Sequence, residues 1–125
     1  MDIISLLTMI LTLFTPIAYA KAWDWCTCIQ ERANPALGKK GRVSTEDLQT
    51  NACRRAKPYF AVGPWAVRHH NLLGWDGYWC TAYAGTRISG ENMYNACRYY
   101  GAVDSCCVDT DASETIATSH STGCG

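Results

Sequence analysis

The sequence carries almost no excess charge of either sign. Its 125 residues include 11 Lys and Arg side chains against 11 Asp and Glu, and only three His. A nearly neutral chain lacks the overall attraction that basic proteins use to bind nucleic acid or anionic membranes. We therefore expect no nucleic-acid ligand and no stable insertion in a membrane.

Long apolar runs are equally scarce. One run, from Ile3 to Ile17, is short for a membrane span and leads into Ala18-Tyr19-Ala20, a typical signal-peptidase cleavage pattern. We predict a secretory signal peptide over residues 1–20, since Pro16 argues against a buried N-terminal helix. A single disulfide-stabilised domain would then occupy residues 21–125. The protein would be secreted and act in the extracellular space or after transfer into a host cell.

Metal and cofactor motifs are also missing. The cysteines lack the C-x2-C spacing of zinc sites, and the three histidines, His69, His70 and His120, do not stand at ligand spacing. We expect no metal and no cofactor.

What the chain does have is an even set of eight cysteines after the predicted cleavage site: Cys26, Cys28, Cys53, Cys80, Cys97, Cys106, Cys107 and Cys124. In a small secreted domain this number predicts a disulfide framework, although the sequence does not choose the pairing.

A short sequence motif occurs twice. RVSTEDLQTNACR begins at Arg42, and RISGENMYNACR begins at Arg87. In each copy a Ser or Thr followed by acidic residues predicts a capped helix start. The same spacing separates Thr45 from Cys53 and Ser89 from Cys97, so Thr45 is the expected cap of the first helix. Helical spacing predicts two inward faces, formed by Leu48, Ala52, Cys53 and Ala56 and by Met93, Ala96, Cys97 and Tyr100. Lys57-Pro58 and Gly101 should end the helices.

The repeat extends upstream through Trp-Cys-Thr, at Trp25 and at Trp79. The segments WDWCTCIQ and GYWCTAYA have strand-like composition. The segment FAVGPWAVRHHNLL can supply a further strand, and the last strand can come from SCCVDT or ETIATSH, with a short strand expected around residues 115–119. The predicted fold class is therefore α+β. We expect a β-α-β-β-α-β, ferredoxin-like split βαβ domain with an antiparallel sheet, both helices on one face and internal repeats over residues 25–56 and 79–101.

The predicted signal peptide, the eight cysteines and the W-C-T-C start resemble those of the small secreted cysteine-rich proteins of filamentous fungi, many of which are effectors of plant pathogens. The β-α-β-β-α-β order with cysteine-bearing helices also looks like that of the killer-toxin-like effectors. The resemblance implies a protein that binds a host or microbial target, with avirulence activity in some members. Some effectors of this kind act with a second secreted partner, so a paired effector is one interpretation that the resemblance allows.

Catalytic patterns are weak. A secreted ribonuclease would need a general base, a general acid and a cation for the phosphate. Among His69, His70, Glu91 and Arg87, the two adjacent histidines would face opposite sides of a strand and could not act as a pair. No G-x-S-x-G motif is present, and an even cysteine count leaves no free thiol. We expect a protein without enzymatic activity; a secreted ribonuclease-like hydrolase or toxin is the alternative.

Aromatic side chains are the stronger functional signal. Trp, Tyr and Arg are the residues that most often anchor interfaces. The Gly-containing segment from Trp65 to Tyr78 predicts a binding loop, with core packing as the competing interpretation, favoured for Trp79 beside Cys80. Gly74 and Gly77 predict a tight exposed turn that carries Trp75. The predicted contact residues are Trp65, Arg68, His70, Trp75 and Tyr78.

Overall fold

The computed structural model describes residues 21–61, 63–83 and 85–124. The predicted signal peptide lies outside these residues. The strands of the described chain are β1 (Ala22–Trp23), β2 (Trp25–Glu31), β3 (Arg42–Val43), β4 (Ala66–Leu72), β5 (Trp75–Thr81), β6 (Ile88–Ser89), β7 (Asp104–Thr110) and β8 (Ala117–His120). Its α-helices are α1 (Glu46–Ala56) and α2 (Gly90–Tyr99), and short 3-10 helices span Pro35–Leu37 and Thr122–Cys124.

Both helices begin where the repeat predicts. The Thr45 side chain caps α1 and accepts a hydrogen bond from the Leu48 N–H at 3.3 Å. Ser89 caps α2 in the same way, accepting from the Asn92 N–H at 3.2 Å. Each cap supplies an acceptor for an N–H group that has no partner inside the first turn. Both helices also end at the predicted sites, beside the Lys-Pro and the glycine that follow them.

The main sheet has the strand order β4-β5-β2-β7-β8, and all its pairings are antiparallel. β3 pairs with β2 beside this path, while β1 and β6 form a separate two-stranded sheet. Each copy of the repeat is a strand followed by a helix, β2 with α1 and β5 with α2. The two repeated strands are neighbours within the sheet. The protein is therefore a small disulfide-rich α+β fold with two helices and antiparallel sheets in its described part.

Two apolar clusters lie on opposite faces of the sheet. The first includes Ala52 and Ala56 of α1 and Met93 and Ala96 of α2, packed with buried sheet cysteines. Both helices thus contribute to one cluster. The second cluster contains no residue of α1 or α2 and is formed by Trp25, Ile29, Leu72, Trp79, Cys106, Val108 and Cys124, with Trp75 and Val43 packed against it. Because successive residues of a strand point to opposite faces, each central strand contributes to both clusters.

The cysteine pairing connects the two repeats crosswise. Cys53 of α1 bonds to Cys80 of β5, so the first helix is tied to the second repeated strand. Cys97 of α2 bonds to Cys28 of β2, so the second helix is tied to the first. The two remaining bridges are Cys26–Cys107, between neighbouring strands, and Cys106–Cys124, which fixes the end of the chain. All eight cysteines are paired, as predicted.

β2 and β5 separate after a short paired stretch. Their register runs only through Trp25–Thr81 and Cys26–Cys80, and β3 packs beside β2 beyond that point. The Val43 side chain of β3 lies against the backbone of Gly77, where any Cβ would collide with it. A side chain at position 77 would therefore push β3 out of the gap.

Polar side chains bridge this gap. The N–H of Cys28 donates to Oε1 of Gln49 at 2.7 Å, and the Thr27 hydroxyl donates to the Tyr78 carbonyl at 2.8 Å. Gln49 has a relative exposure of 0 %. It occupies the position in α1 that corresponds to the buried Met93 in α2, four residues before the helical cysteine. α1 therefore carries an amide at this position, where α2 carries an apolar side chain. The reason is that Gln49 lies next to the part of β2 that is not paired with β5.

Replacing Gln49 by Met should test this role. The substitution roughly keeps the volume but removes the acceptor of the Cys28 N–H. A buried donor left without a partner costs about 1–3 kcal/mol, but Met also removes the Gln49 Nε2, a buried donor that has no partner itself, so we expect a loss near the lower end of that range in the free energy of unfolding, measured by urea denaturation. Met93→Leu, at the equivalent site of α2, is the control and should cost less than about 1.5 kcal/mol. Equal small losses in both variants would show that the amide is dispensable.

Several local expectations change in the structure. Gln49 rather than Leu48 is fully buried on α1, and Tyr100, expected on the inward face of α2, remains 37 % exposed. Both candidates for the last strand are used, as β7 and β8, and β8 begins two residues later than expected. The segment from Trp65 to Tyr78 is mainly a β-hairpin rather than a loop.

No helix in the described part of the chain is long and apolar enough to cross a membrane.

Candidate functional site

The predicted binding segment forms the hairpin β4–β5. Its strands are joined by Leu73 and Gly74, whose φ angles of 56° and 81° match a tight two-residue turn. Gly74 suits this turn because glycine adopts positive φ without steric cost. Gly77, expected in the same turn, instead lies buried inside β5. The exposed tip is therefore Leu73-Gly74, and Trp75 already belongs to the strand.

β4 is an edge strand of the main sheet. Leu72 and Trp75 flank the two-residue turn and form a hydrogen-bonded pair, and the pairing alternates from there along the hairpin. It follows that the N–H and C=O groups of Val67, His69 and Asn71 point away from β5, towards the open edge. Seven residues of β4 present this edge without a proline among them. Such an edge can accept an added strand.

Arg68 and His70 lie on the face of β4 that points away from the helices. The Arg68 guanidinium pairs with the Glu114 carboxylate at 3.8 Å, and the His70 ring contacts the Glu114 carbonyl through Nε2. The His70 ring also packs on the buried Trp25, with ring centroids 5.1 Å apart. Both predicted contact residues therefore hold the loop between β7 and β8 against the sheet.

Asp111 organises that loop. Its carboxylate accepts hydrogen bonds from the Ser113 hydroxyl at 2.8 Å and from the Thr115 N–H at 3.0 Å. These hydrogen bonds, that of Ser113 foremost, lower the pKa of Asp111 below its ordinary value of 3.8. Because its pKa is lowered, the Asp111 carboxylate stays ionised at neutral and mildly acidic pH and keeps these hydrogen bonds.

Tyr78 lies on the opposite face, the one that carries the helices. Its ring stands edge-on to His69, with centroids 5.4 Å apart, and His69 also approaches the Asp76 carboxylate at 3.4 Å. Trp65 precedes β4 and donates from Nε1 to the Thr86 hydroxyl at 3.2 Å. Both Trp65 and Tyr78 are half-buried. The sheet therefore separates these two residues from Arg68 and His70.

Trp75 packs into the second cluster. Its Nε1 donates to the Cys124 carbonyl at 3.0 Å, and its ring lies directly on the backbone of Gly41. The Trp75 carbonyl in turn accepts from Nε1 of the fully buried Trp79 at 3.2 Å. Trp75 thus connects the hairpin to the end of the chain.

The five predicted contact residues therefore do not form one patch. Arg68, His70 and Trp75 share the face away from the helices, and Tyr78 occupies the other. Four of them belong to the hairpin itself, and Trp65 directly precedes it. Its open β4 edge is reached from both faces and carries the exposed Arg68 and His69 side chains.

Sequence reasoning missed a set of strongly exposed aromatic side chains. Tyr59 is 99 % exposed, Phe60 75 % and Tyr99 63 %. A signal for the first two was present, because they follow directly on the Lys57-Pro58 that ends α1, where no periodic element could bury them. Tyr99 was harder to place, since helical spacing alone does not tell which face a neighbouring helix covers.

The described residues contain no group of three or more His, Cys, Asp or Glu side chains placed to hold a metal ion. His69 and His70 point to opposite faces of β4, as predicted for adjacent strand residues. One open cavity of about 430 Å³ lies beside Trp25 and is bordered by Asp24, Asp111 and Glu114. Arg87 approaches Asp24 at 3.7 Å and also pairs with Asp109, so part of this acidic charge is already neutralised.

Comparison with known proteins gives no relative. No family model matches the chain, and neither a curated protein nor a solved structure matches it significantly.

Proposed function

We propose that this protein is a secreted, effector-like binding protein without enzymatic activity that recognises a host or microbial protein target. The observation that carries the proposal is the open β4 edge in a chain otherwise held by four disulfides. Disulfides of this density are typical of small domains that fold in an oxidising compartment. A scaffold held by disulfides, with an edge strand such as β4 that is paired on one side only, presents backbone donors and acceptors at low cost in conformational entropy.

The proposal includes a ferredoxin-like split βαβ arrangement. Two features support it. The strand order β4-β5-β2-β7 separates β2 from β4, the strands before and after α1, and it separates β5 from β7, the strands before and after α2. Both helices also pack into one cluster. The crosswise bridges fit a pseudo-twofold domain of the kind found among killer-toxin-like fungal effectors, and a predicted signal peptide would deliver it outside the cell.

Strand addition is the proposed mode of target contact. An extended segment of the target would pair with the N–H and C=O groups of Val67, His69 and Asn71, as in other β-augmented complexes. Arg68 and His70 would contact the segment on one face, and Tyr78, beside His69, on the other. Trp65, at the start of β4, would mark one end of the contact. A second secreted protein is an equally suitable occupant of this edge.

A substitution at His69 separates backbone pairing from side-chain contact. His69→Pro removes an outward N–H, which an edge strand tolerates, while the matched control His69→Ala removes the side chain alone. The oxidised protein should capture a target from host or microbial extracts, which mass spectrometry identifies. Loss of one or two backbone hydrogen bonds should then weaken that complex about tenfold in His69→Pro and much less in His69→Ala.

Two outcomes would contradict the proposal. Undiminished target binding by a folded His69→Pro variant would exclude the β4 edge. Cleavage of RNA by the purified oxidised protein, lost in His69→Ala or His70→Ala, would favour the ribonuclease alternative.

A further inference from the structure

The three most exposed aromatic side chains, Tyr59, Phe60 and Tyr99, lie at or just after the ends of the two helices, and Tyr100 pairs with Tyr99. Tyr59 and Phe60 come just after α1, and their rings stand nearly perpendicular with centroids 5.7 Å apart. Tyr99 and Tyr100 end α2, with centroids 5.0 Å apart and the same perpendicular arrangement. Isolated exposed apolar residues are common, but two exposed aromatic pairs on neighbouring elements form a patch that usually has a partner.

The last turns of the helices lie side by side. The Arg55 guanidinium, in the last turn of α1, sits 3.5 Å from the centre of the Tyr99 ring in the last turn of α2. Tyr59 follows the end of α1 by three residues, a reach of at most about 11 Å. The two aromatic pairs therefore lie near the adjoining ends of the two helices.

The same region gathers basic residues that have no acidic partner. Arg54, Arg55 and Lys57 lie at the end of α1, and Arg98 lies at the end of α2. Within the described part of the chain none of these four has a carboxylate within ion-pair distance. The sequence has no Asp or Glu between positions 47 and 76 or between positions 91 and 104. We call these four cations and the four aromatic side chains the aromatic–basic surface.

Helix electrostatics account for only part of this surface. Cations near the C-terminal end of a helix are favourable because the last carbonyl groups carry partial negative charge. That effect explains Arg54, Arg55 and Arg98, but it gives no reason for the exposed rings beside them. The favourable interaction of cations with the helix ends also does not explain why the segments around both helix ends lack Asp and Glu. A ligand that is anionic and has an apolar layer accounts for both features.

We propose that the aromatic–basic surface docks the protein peripherally on an anionic lipid surface. Tyrosine and phenylalanine rings beside Lys and Arg are the side chains that settle at the boundary between lipid headgroups and acyl chains. Each cation near such a surface strengthens binding by about fivefold. Nucleic-acid bases stack on flat aromatic faces, which perpendicular rings do not offer together. A deformable lipid layer can surround rings in this arrangement. This docking does not depend on the target-binding proposal, since it uses different residues.

Vesicle binding tests this inference with the full oxidised protein. Vesicles of phosphatidylcholine containing about one third phosphatidylserine should bind the protein at least tenfold more tightly than vesicles of phosphatidylcholine alone, as measured by co-sedimentation. Raising the salt from 0.05 M to 0.5 M should weaken binding, since it screens the cations. Equal binding to both vesicles, or none to either, would overturn the proposal.

Matched variants assign the effect to the surface. The double variant Tyr59→Ala, Phe60→Ala should lose at least about tenfold in vesicle affinity, whereas Leu37→Ala with Ile116→Ala, which removes exposed apolar side chains elsewhere, should lose little.

Replacing Arg54 and Lys57 by Gln should weaken binding strongly, and replacing the exposed Lys39 and Lys40 by Gln, with the same change in net charge, should not. Equal losses in a variant and its control would contradict the assignment. Tight binding of a single-stranded oligonucleotide, sensitive to the same variants and without vesicle binding, would replace the lipid with nucleic acid.

Discussion

Replacing Cys28 and Cys97 together by Ala should lower the free energy of unfolding by about 3 kcal/mol. The bridge joins positions 69 residues apart, but Cys26–Cys107 still crosslinks the unfolded chain, so Cys28–Cys97 closes a loop of only about 12 residues, which removes about this much conformational free energy. It also ties α2 to the strand of the other repeat. Because small domains are stable by only about 5–15 kcal/mol, the variant should be close to unfolding at physiological temperature.

The other bridge between a helix and the sheet, Cys53–Cys80, provides a comparison for this measurement. Replacing Cys53 and Cys80, 27 residues apart, should cost slightly more, about 3.5 kcal/mol, if chain entropy dominates, because no other bridge shortens this loop. Paired substitution avoids a lone thiol in each variant, and urea denaturation of the purified proteins gives both values. A loss below about 1 kcal/mol for Cys28 and Cys97 would mean that the two repeats hold together without their crosswise bridges.

Trp75→Ala should cost about 3 kcal/mol of stability. Truncation of a buried aromatic residue costs about 3–5 kcal/mol, and Trp75 is only half-buried. The substitution nevertheless removes the ring that packs on Gly41 and the donor that binds the Cys124 carbonyl. We therefore expect early thermal unfolding and release of the chain end from the hairpin, observed as a lower Tm and as faster amide exchange near Cys124.

Two further variants define what Trp75 does. Trp75→Phe keeps an aromatic ring but loses the hydrogen bond, so it should retain more than half of the lost stability. Tyr83→Ala, which truncates a 49 % exposed ring, should change stability by less than about 0.5 kcal/mol. A Trp75→Ala protein that melts like the wild type yet no longer binds its target would instead establish Trp75 as the interface anchor that the sequence suggested.

Much of the local structure followed from the sequence. The Thr45 and Ser89 caps, the ends of both helices and the strands that precede them depend on neighbouring residues, and the repeat displayed each signal twice. The paired state of the cysteines followed from their even number and the size of the domain. The conformation predicted for the candidate site was wrong, because the Gly-containing segment around Trp75 is not a loop: β4 and β5 pair across a two-residue turn.

Only the tertiary structure decided how these parts combine. Eight cysteines permit many pairings, and the crosswise one depends on which strand lies under which helix. Gln49 is buried because β3 lies in the gap between β2 and β5, and the Gln49 side chain bonds to β2 there. The near-zero net charge concealed four cations that the helix ends bring together. Capping and periodicity are properties of a few adjacent residues, whereas burial, bridge partners and charge clusters depend on contacts between segments far apart in the chain, which local pattern does not encode.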